Sequence, residues 1–300
     1  MIHVITSASL KMLKMNKIWL DLELREDIDD FITLLLAINS GLNITAVSIN
    51  NPSRHELKLV GYVLRKYCVE ARVFMTGSIT EYPDKKDTHP VLRFTESDLY
   101  YEPELSFISA LAEKELSEPF TVFCGGSLTT LNKLVDAGCN VSAVVQGGYA
   151  SSLVVPEHAV LKKFDGRAAV PTWNLNLDLA STDEVLAKGI DIRFISKNVC
   201  HAALVGLEDI SNETSFGAGV LRRYFEYSGY RDKCMHDPLA LTTMLNPNIV
   251  DFASVEMKRT DDARAKWWAE PRNDSNHTIS IDFDKDAFLA AFVTGLRDKD

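Results

Sequence analysis

Short apolar runs with strand character alternate with helix-length segments through the first two thirds of this chain. Strands are predicted at 17–22, 43–50, 71–75, 119–124 and 141–146, and helices at 29–40, 54–68, 104–117, 127–137 and 182–189. Strands that alternate with helices of this length predict βαβ units and a parallel sheet. Continuously apolar runs such as Phe120–Cys124 are typical of strands that are covered on both faces. The predicted fold class is therefore α/β, with a mostly parallel central sheet flanked by helices.

The last third of the chain is predicted to be more helical. Helices are expected at 214–228, 237–245 and 285–297, with one late strand at 278–283. Two long loops, 78–103 and 149–172, are candidates for functional segments. The chain contains no low-complexity linker, so residues 17–300 are predicted to form a single domain. Residues 1–16 are predicted to be a poorly ordered extension, because their lysines follow the apolar part instead of preceding it as in a signal peptide.

Composition excludes several classes of protein. A hydrophobic content of 46% over 300 residues is enough for a large core. The formal net charge of −10 argues against a nucleic-acid partner, which would require a basic face. The five cysteines show no C-x-x-C spacing, as expected of free thiols in a reducing compartment. No apolar run reaches the roughly 18 residues of a membrane span, so we expect a cytoplasmic protein with no membrane partner.

An acid-rich turn lies between the first predicted strand and the first predicted helix. Residues 21–30 carry six carboxylates, including the adjacent pair Asp29 and Asp30. Packed anions repel one another unless something compensates them, and a hard divalent cation with oxygen ligands is the usual compensation. The simpler alternative is a solvated charge run whose last two aspartates interact favourably with the helix N-terminus. The turn alone leaves both interpretations open.

Three further polar or glycine-rich turns follow predicted strands. They are Asn50-Asn51-Pro52, the segment 125–129 and Gly147-Gly148. In open α/β sheets, ligands bind beyond the carboxyl ends of the strands, so these turns and the acidic turn are expected to converge at one edge. Segment 125–129 can offer an oxygen to the same cation, or it can be an ordinary turn with Ser127 as a helix N-cap.

Two later segments also carry candidate functional groups. Asp237 lies before a predicted helix, either as an N-cap followed by Pro238 or as a distant cation ligand beside the proton donor His236. The segment 173–178 contains Asn174 and Asn176, whose amides can bind sugar hydroxyls or can serve ordinary turn chemistry.

The order of these elements resembles the nucleoside hydrolase family, the inosine-uridine-preferring nucleoside N-ribohydrolases. The aspartate-rich opening turn of that family is similar to residues 21–30. Its AGN, GPLTN, MGG, EFN…D and HDP elements are similar, in the same order, to residues 48–50, 126–130, 146–148, 172–178 and 236–238.

The resemblance implies an N-glycosidase that releases ribose and a free base from a ribonucleoside, through a Ca²⁺-bound water activated by an aspartate. It also implies a homodimer or homotetramer. The base is Asp29 or Asp27, and His236 assists the leaving group. The implied substrate-binding residues are Asn50, Asn174, Asn176 and His89. The implied calcium ligands are Glu23, Asp30, the backbone carbonyl of Thr129 and Asp237, with Asp21 in support.

The sequence departs from the family pattern at three positions. Glu23 replaces an aspartate, Arg25 replaces a glycine, and Thr172 replaces the glutamate that precedes the ribose-binding asparagine. These changes motivate a rival interpretation, a riboside-binding protein of the same fold without turnover. A phosphatase that uses an aspartate turn is a third interpretation, but the elements around Asn50, Asn174 and His236 do not support it.

Overall fold

The computed structural model describes residues 16–25, 27–77, 89–93 and 118–299. Its centre is a ten-stranded sheet with strand order β3-β2-β1-β4-β5-β7-β12-β10-β11-β6. The strands are β1 (Lys17–Leu22), β2 (Asn43–Asn50), β3 (Arg72–Thr76), β4 (Phe120–Cys124), β5 (Val141–Gln146), β6 (Val170–Pro171), β7 (Ile192–Ile195), β10 (Val250–Arg259), β11 (Lys266–Pro271) and β12 (His277–Phe283). A separate small pair consists of β8 (Leu204–Gly206) and β9 (Asp232–Cys234).

The run of the sheet from β3 to β12 is parallel, as the alternating pattern predicts. Its register places Asp21, near the end of β1, opposite Ser48 of β2 and Cys124 of β4. The first four predicted turns therefore do leave the sheet at one edge. The central strand β1 is almost completely buried, with Trp19 at 0% exposure, as expected for a sheet covered on both faces.

Of the described strands in the second half, only β12 was expected; β6 to β11 were not. Strand β7 joins the parallel run, and β10 and β11 extend the sheet in antiparallel fashion beyond β12. Strand β7 has four residues, too few for a periodic signal, and β10 mixes polar with apolar residues because only part of it is buried. The prediction of a more helical C-terminal part is not confirmed, since these strands lie there.

The helices cover the sheet with boundaries close to those predicted. They are α1 (Asp29–Asn39), α2 (Arg54–Lys66), α3 (Thr129–Asp136), α4 (Trp173–Leu177), α5 (Leu179–Ala187), α6 (Lys197–Cys200), α7 (Phe216–Ser228), α8 (His236–Leu245) and α9 (Lys285–Leu296). The predicted helix 104–117, most of the loop 78–103 and residues 1–15 of the predicted extension lie outside the described residues.

Local sequence explains how these helices begin. Helix α2 starts with a capping box, in which the Ser53 hydroxyl accepts from the Glu56 amide and the Glu56 carboxylate accepts from the Ser53 amide. Helix α3 starts at Thr129, so Ser127 is not the N-cap of this helix. The Ser127 hydroxyl instead donates to the Asn50 amide oxygen. Within the described ranges, the helices are all too short or too polar to cross a bilayer.

Candidate active site

A cavity of about 650 Å³ opens at the carboxyl edge of the parallel strands. The acidic turn after β1, Gly125 after β4, the end of β5, the segment before α4, helix α6 and the start of α8 all contribute to its wall. This is the place where open α/β sheets bind ligands. The predicted site residues that line the cavity are Glu23, Asp27, Asp29, Asp30, Asn174, His236 and Asp237.

Three buried carboxylates form the centre of this cavity. Asp29, Asp30 and Asp237 each place one oxygen within 4.8 Å of the others. Asp30 accepts a hydrogen bond from the backbone amide of Glu23 at 3.0 Å, and Asp29 accepts one from the backbone amide of His236 at 3.2 Å. The Oδ1 atom of Asp237 is buried and has no hydrogen-bond partner among the residues that the structure describes.

Burial and mutual repulsion raise the pKa of all three carboxyl groups. For Asp30, burial has the largest effect, followed by the charges of Asp237 and Asp29, and its pKa lies well above the usual range. Burial and the charge of Asp29 act in the same way on Asp237. Burial, with the charge of Asp27 next, raises the pKa of Asp29 to about 7. Three crowded oxygen ligands, one of them without a partner, fit a hard divalent cation such as Ca²⁺.

Gly125 allows these carboxylates to lie so close to the end of β4. A Cβ atom at this position would be 2.8 Å from Asp30 Oδ1 and 3.0 Å from Asp237 Oδ1. The Gly125 carbonyl accepts from the Asn174 amide at 2.9 Å, which connects the carboxylate cluster to the expected sugar-binding segment. The glycine pair after β4 was the sequence signal for this turn.

Glu23 and Asp27 also line the cavity, but each has a cation of its own. Glu23 lies 3.1 Å from the Arg25 guanidinium and accepts from the Trp173 indole at 3.1 Å. Asp27 lies 2.5 Å from the Lys233 ammonium. Although burial alone would raise it, the charge of Lys233 and hydrogen bonding lower the pKa of Asp27 to about 2. Lys233 thus compensates Asp27, whereas burial raises the pKa of Glu23 despite the charge of Arg25, and Glu23 stays a predicted calcium ligand.

Asp21 is buried behind the cavity and does not line it. Its carboxylate accepts hydrogen bonds from Ser48, from Thr130 at 2.7 Å and from the Asn50 amide at 3.0 Å. Burial raises its pKa to about 6, while these hydrogen bonds oppose the shift. Three donors from β2 and α3 therefore satisfy the Asp21 carboxylate, and its support of the metal stays a prediction.

The Asn50 side chain, like that of Asp21, has hydrogen-bond partners within the protein. Its amide nitrogen donates to Asp21, and its amide oxygen accepts from Ser127 at 2.8 Å. The side chain lies beneath Gly126, where a Cβ would come within 2.6 Å of its amide nitrogen. Asn50 is thus held by β1 and by the turn before α3, and its ribose contact stays a prediction.

Asn174 keeps a position at the cavity wall. Its amide nitrogen donates to the carbonyl of Gly125 and to the backbone and side-chain oxygens of Gln146, at 2.8–2.9 Å. These three bonds fix the orientation of the side chain, as required of a residue that positions a sugar.

Three other predicted residues lie away from the cavity wall. Asn176 donates to Ala265 and accepts from the Trp267 indole at 2.7 Å, so it ties α4 to β11. The Thr129 hydroxyl donates to Asp178 at 2.7 Å, and Thr129 itself begins α3. The His89 ring packs against Tyr224 and Tyr227. The substrate contact of Asn176 and the metal contact of the Thr129 backbone carbonyl stay predictions.

His236 lies between the carboxylates and a second group of ligand-type side chains. Its ring is 5.0 Å from that of His201, centroid to centroid. Ligand atoms of His201, Cys234 and His236 lie within 4.8 Å of one another. Burial, followed by the charge of Lys233, lowers the pKa of His236 to about 4, and its Nε2 has no partner within the described ranges. A neutral imidazole can still donate one hydrogen bond to a ligand.

No sequence pattern indicated the cavity residues that follow β7. Lys197, Cys200 and His201 all line the cavity from α6 and its end. They belong to the edge of the sheet only because β7 precedes them, and that short strand was not predicted.

Comparisons with known proteins agree with this arrangement. The sequence profile of the family described as inosine-uridine preferring nucleoside hydrolase matches residues 18–290. A plant nucleoside hydrolase is 16% identical, with a TM-score of 0.68 over 95% of this chain and 99% of its own. A nucleoside hydrolase from Bacillus anthracis is 13% identical, with a TM-score of 0.68 over 94% and 99%.

A third solved structure is the type III effector protein XopQ complexed with adenosine diphosphate ribose. It is 15% identical, with a TM-score of 0.60 over 97% of both chains. No curated protein matches the chain significantly in sequence. At these identities the solved structures establish the fold, and the profile match establishes the family. The resemblance inferred from the ordered motifs is thus confirmed, and the chain belongs to the inosine-uridine preferring nucleoside hydrolase family.

Proposed function

We propose that this protein hydrolyses the N-glycosidic bond of a ribonucleoside or related N-riboside, giving ribose and a free base. The observation that carries the proposal is the cluster of Asp29, Asp30 and Asp237, buried at the carboxyl edge of the sheet beside Asn174. Asp30 and Asp237 would hold a divalent cation, which we propose to be Ca²⁺. When bound, such a cation neutralises the carboxylates, orients ribose hydroxyls and makes water more acidic.

Asp29 is the residue that we assign as general base. Sequence alone left Asp27 and Asp29 as alternatives. Asp27 is held by Lys233 at 2.5 Å, and its pKa of about 2 makes it a poor proton acceptor. Asp29 is buried within the cluster and close to His236, where a carboxylate has fewer competing partners. It would take a proton from the attacking water while the water oxygen bonds to the anomeric carbon.

The attacking water loses a proton, whereas the leaving base must gain one. The electron pair of the C–N bond departs with the base, whose nitrogen then takes a proton from solvent, while Asp29 returns to solvent the proton that it took from the attacking water. The neutral His236 imidazole lies at the cavity wall, and its buried Nε2 has no hydrogen-bond partner among the described residues. It would donate a hydrogen bond to the base as negative charge develops there, while Asn174 holds the sugar.

Ribose release from a panel of nucleosides tests this proposal. We expect release by the full chain with Ca²⁺, and its loss in Asp29→Asn and Asp30→Asn. Asp274→Asn, an exposed carboxylate outside the cavity, is the matched control and should cleave like the wild type. No release from any nucleoside, or equal release by all four proteins, would contradict the proposal.

A second candidate is riboside binding without turnover. Arg25 favours it, because its guanidinium lies 3.1 Å from Glu23 and brings a fixed positive charge to the cavity wall. Calorimetry beside the release assay separates the two functions. Heat of binding with no ribose release, at saturating Ca²⁺, would support the binding protein.

A further inference from the structure

One side of the cavity carries positive charge without a matching carboxylate. Lys197 lines the cavity, and the charges of Lys163 and Arg167, from the loop that follows β5, act on its ammonium group. Within the described part of the chain, none of these three cations forms an ion pair shorter than 4.0 Å. A protein with a net charge of −10 has ample carboxylates elsewhere, so this concentration of unpaired cations is a local feature of the site.

Contacts fix the positions of the two lysines. The Lys197 ammonium donates to the carbonyl of Pro171 at 3.0 Å, which places it beside Thr172. The Lys163 ammonium lies 5.2 Å from the centre of the Phe164 ring, and that ring is 5.6 Å from the ring of His201.

Electrostatics agree with this placement. Burial lowers the pKa of Lys197, and the charges of Lys163 and Arg167 lower it further. The pKa of His201 is lowered to about 3 by burial, by His236 and by the same two lysines. The cations are thus close enough to repel one another, and an anion between them would relieve that repulsion.

Thr172 supplies an independent indication of a ligand. It is 1% exposed, it lines the cavity, and its hydroxyl has no hydrogen-bond partner among the described residues. A buried hydroxyl without a partner costs about 1–3 kcal/mol. A glutamate at this position, as in the EFN pattern, would place a carboxylate beside Lys197. The threonine removes that negative charge and leaves a donor.

We propose that the site takes an N-riboside whose sugar carries a phosphate, bound by Thr172 and Lys197 in the field of Lys163 and Arg167. Thr172 lies two residues before Asn174 on the same segment, so the anion would be on the sugar side of the ligand. Phosphate has several acceptor oxygens and matches both the hydroxyl and the cations. The identity of the ribosyl group rests on the proposed function, whereas the anion site rests on these contacts.

Calorimetric titration with inosine and inosine 5′-monophosphate tests the inference, because the two probes differ only in the phosphate. The full-length Asp29→Asn variant with Ca²⁺ is used, so that binding is measured without turnover. We expect the phosphorylated probe to bind at least about tenfold more tightly. Lys197→Met and the nearly isosteric Thr172→Val should reduce that advantage severalfold and leave inosine binding within about twofold.

Lys162→Met is the matched control, since Lys162 is an exposed lysine of the same loop that does not line this cavity. Equal affinity for the two probes, or an equal loss in Lys162→Met and Lys197→Met, would overturn the inference. A clear phosphate preference would overturn only the hydrolytic function if the wild type releases neither ribose from inosine nor ribose 5-phosphate from inosine 5′-monophosphate. Release from inosine without a phosphate preference would overturn only the anion site.

Discussion

Asp21 and Asp237 are both buried carboxylates at the same edge of the sheet, yet their surroundings are opposite. Asp21 accepts hydrogen bonds from three side chains of the neighbouring elements. Asp237 has an oxygen with no partner among the described residues and faces Asp29 and Asp30. A buried carboxylate with donors is part of the architecture, whereas a buried carboxylate facing other carboxylates needs a ligand. The supply of donors therefore separates supporting residues from candidate metal ligands.

The largest expected effect is on turnover. Asp237→Asn removes a charge from the cluster but keeps the shape of the side chain. Because a bound cation contributes several kcal/mol to transition-state stabilisation, we expect kcat/KM for a cleaved nucleoside to fall by at least about 10³-fold. Steady-state ribose release measures it. Retention of wild-type kcat/KM would remove Asp237 from the proposed ligand set.

A second test uses the pH dependence of stability at Asp21. The folded state raises its pKa to about 6, so this carboxyl binds its proton more tightly when folded than when unfolded. Protonated Asp21 contributes about 3 kcal/mol to the free energy of unfolding. This contribution is fully present below about pH 4 and is lost as the pH rises through about 6. Urea unfolding of wild type and Asp21→Asn across this interval isolates the change. A constant difference between the two proteins would contradict it.

Calcium should distinguish the two kinds of carboxylate directly. We expect Ca²⁺ at 100 times its Kd to stabilise the wild type by about 2.7 kcal/mol. Asp30→Asn should abolish that gain, and Asp21→Asn should retain it, because Asp21 already has its donors. Thermal unfolding with Ca²⁺ and with a chelator measures both. Equal loss of the Ca²⁺-dependent stabilisation in the two variants would contradict the distinction between supporting carboxylates and metal ligands.

The smallest effect is expected for a carboxylate that has its own cation. Lys233→Met removes the partner of Asp27, whose side chain is half exposed. Since solvent screens such a pair, we expect a loss of about 1 kcal/mol in unfolding free energy. Lys258→Met, which breaks an exposed pair with Glu256 on β10, is the reference. A loss of 3 kcal/mol or more would contradict solvent screening and would mean that Lys233, which is only 10% exposed and whose charge also acts on Asp29, compensates both carboxylates.

Periodicity predicted the part of the fold that creates the site. The strands that end at Leu22, Asn50, Cys124 and Gln146 were recognisable because each is an apolar run followed by a polar or glycine-rich turn. Convergence of those turns then follows from the rules of parallel sheets. Strand β7 has only four residues, so Lys197 and His201 remained outside the predicted site.

Individual roles within the acidic turn could not be predicted. Asp27 and Asp29 are two residues apart and look alike in sequence. Among the described residues, however, Asp27 is the one that forms an ion pair with Lys233, which is far away in the chain. The sequence pattern predicts a sugar contact for Asn50 but not its hydrogen bonds to Asp21 and Ser127. Those partners lie on elements that meet only in the folded sheet. Long-range partners decide these roles, and no local pattern contains them.

The carboxylate cluster leaves no room for a side chain at Gly125. Its φ is not in the left-handed region, so alanine would suit the backbone, but the added methyl would come within 2.8 Å of Asp30 and 3.0 Å of Asp237. A single CH₃ group would thus compete with a ligand for its place while every acid, base and donor stays chemically intact. The site can be closed by volume alone, without any change of charge.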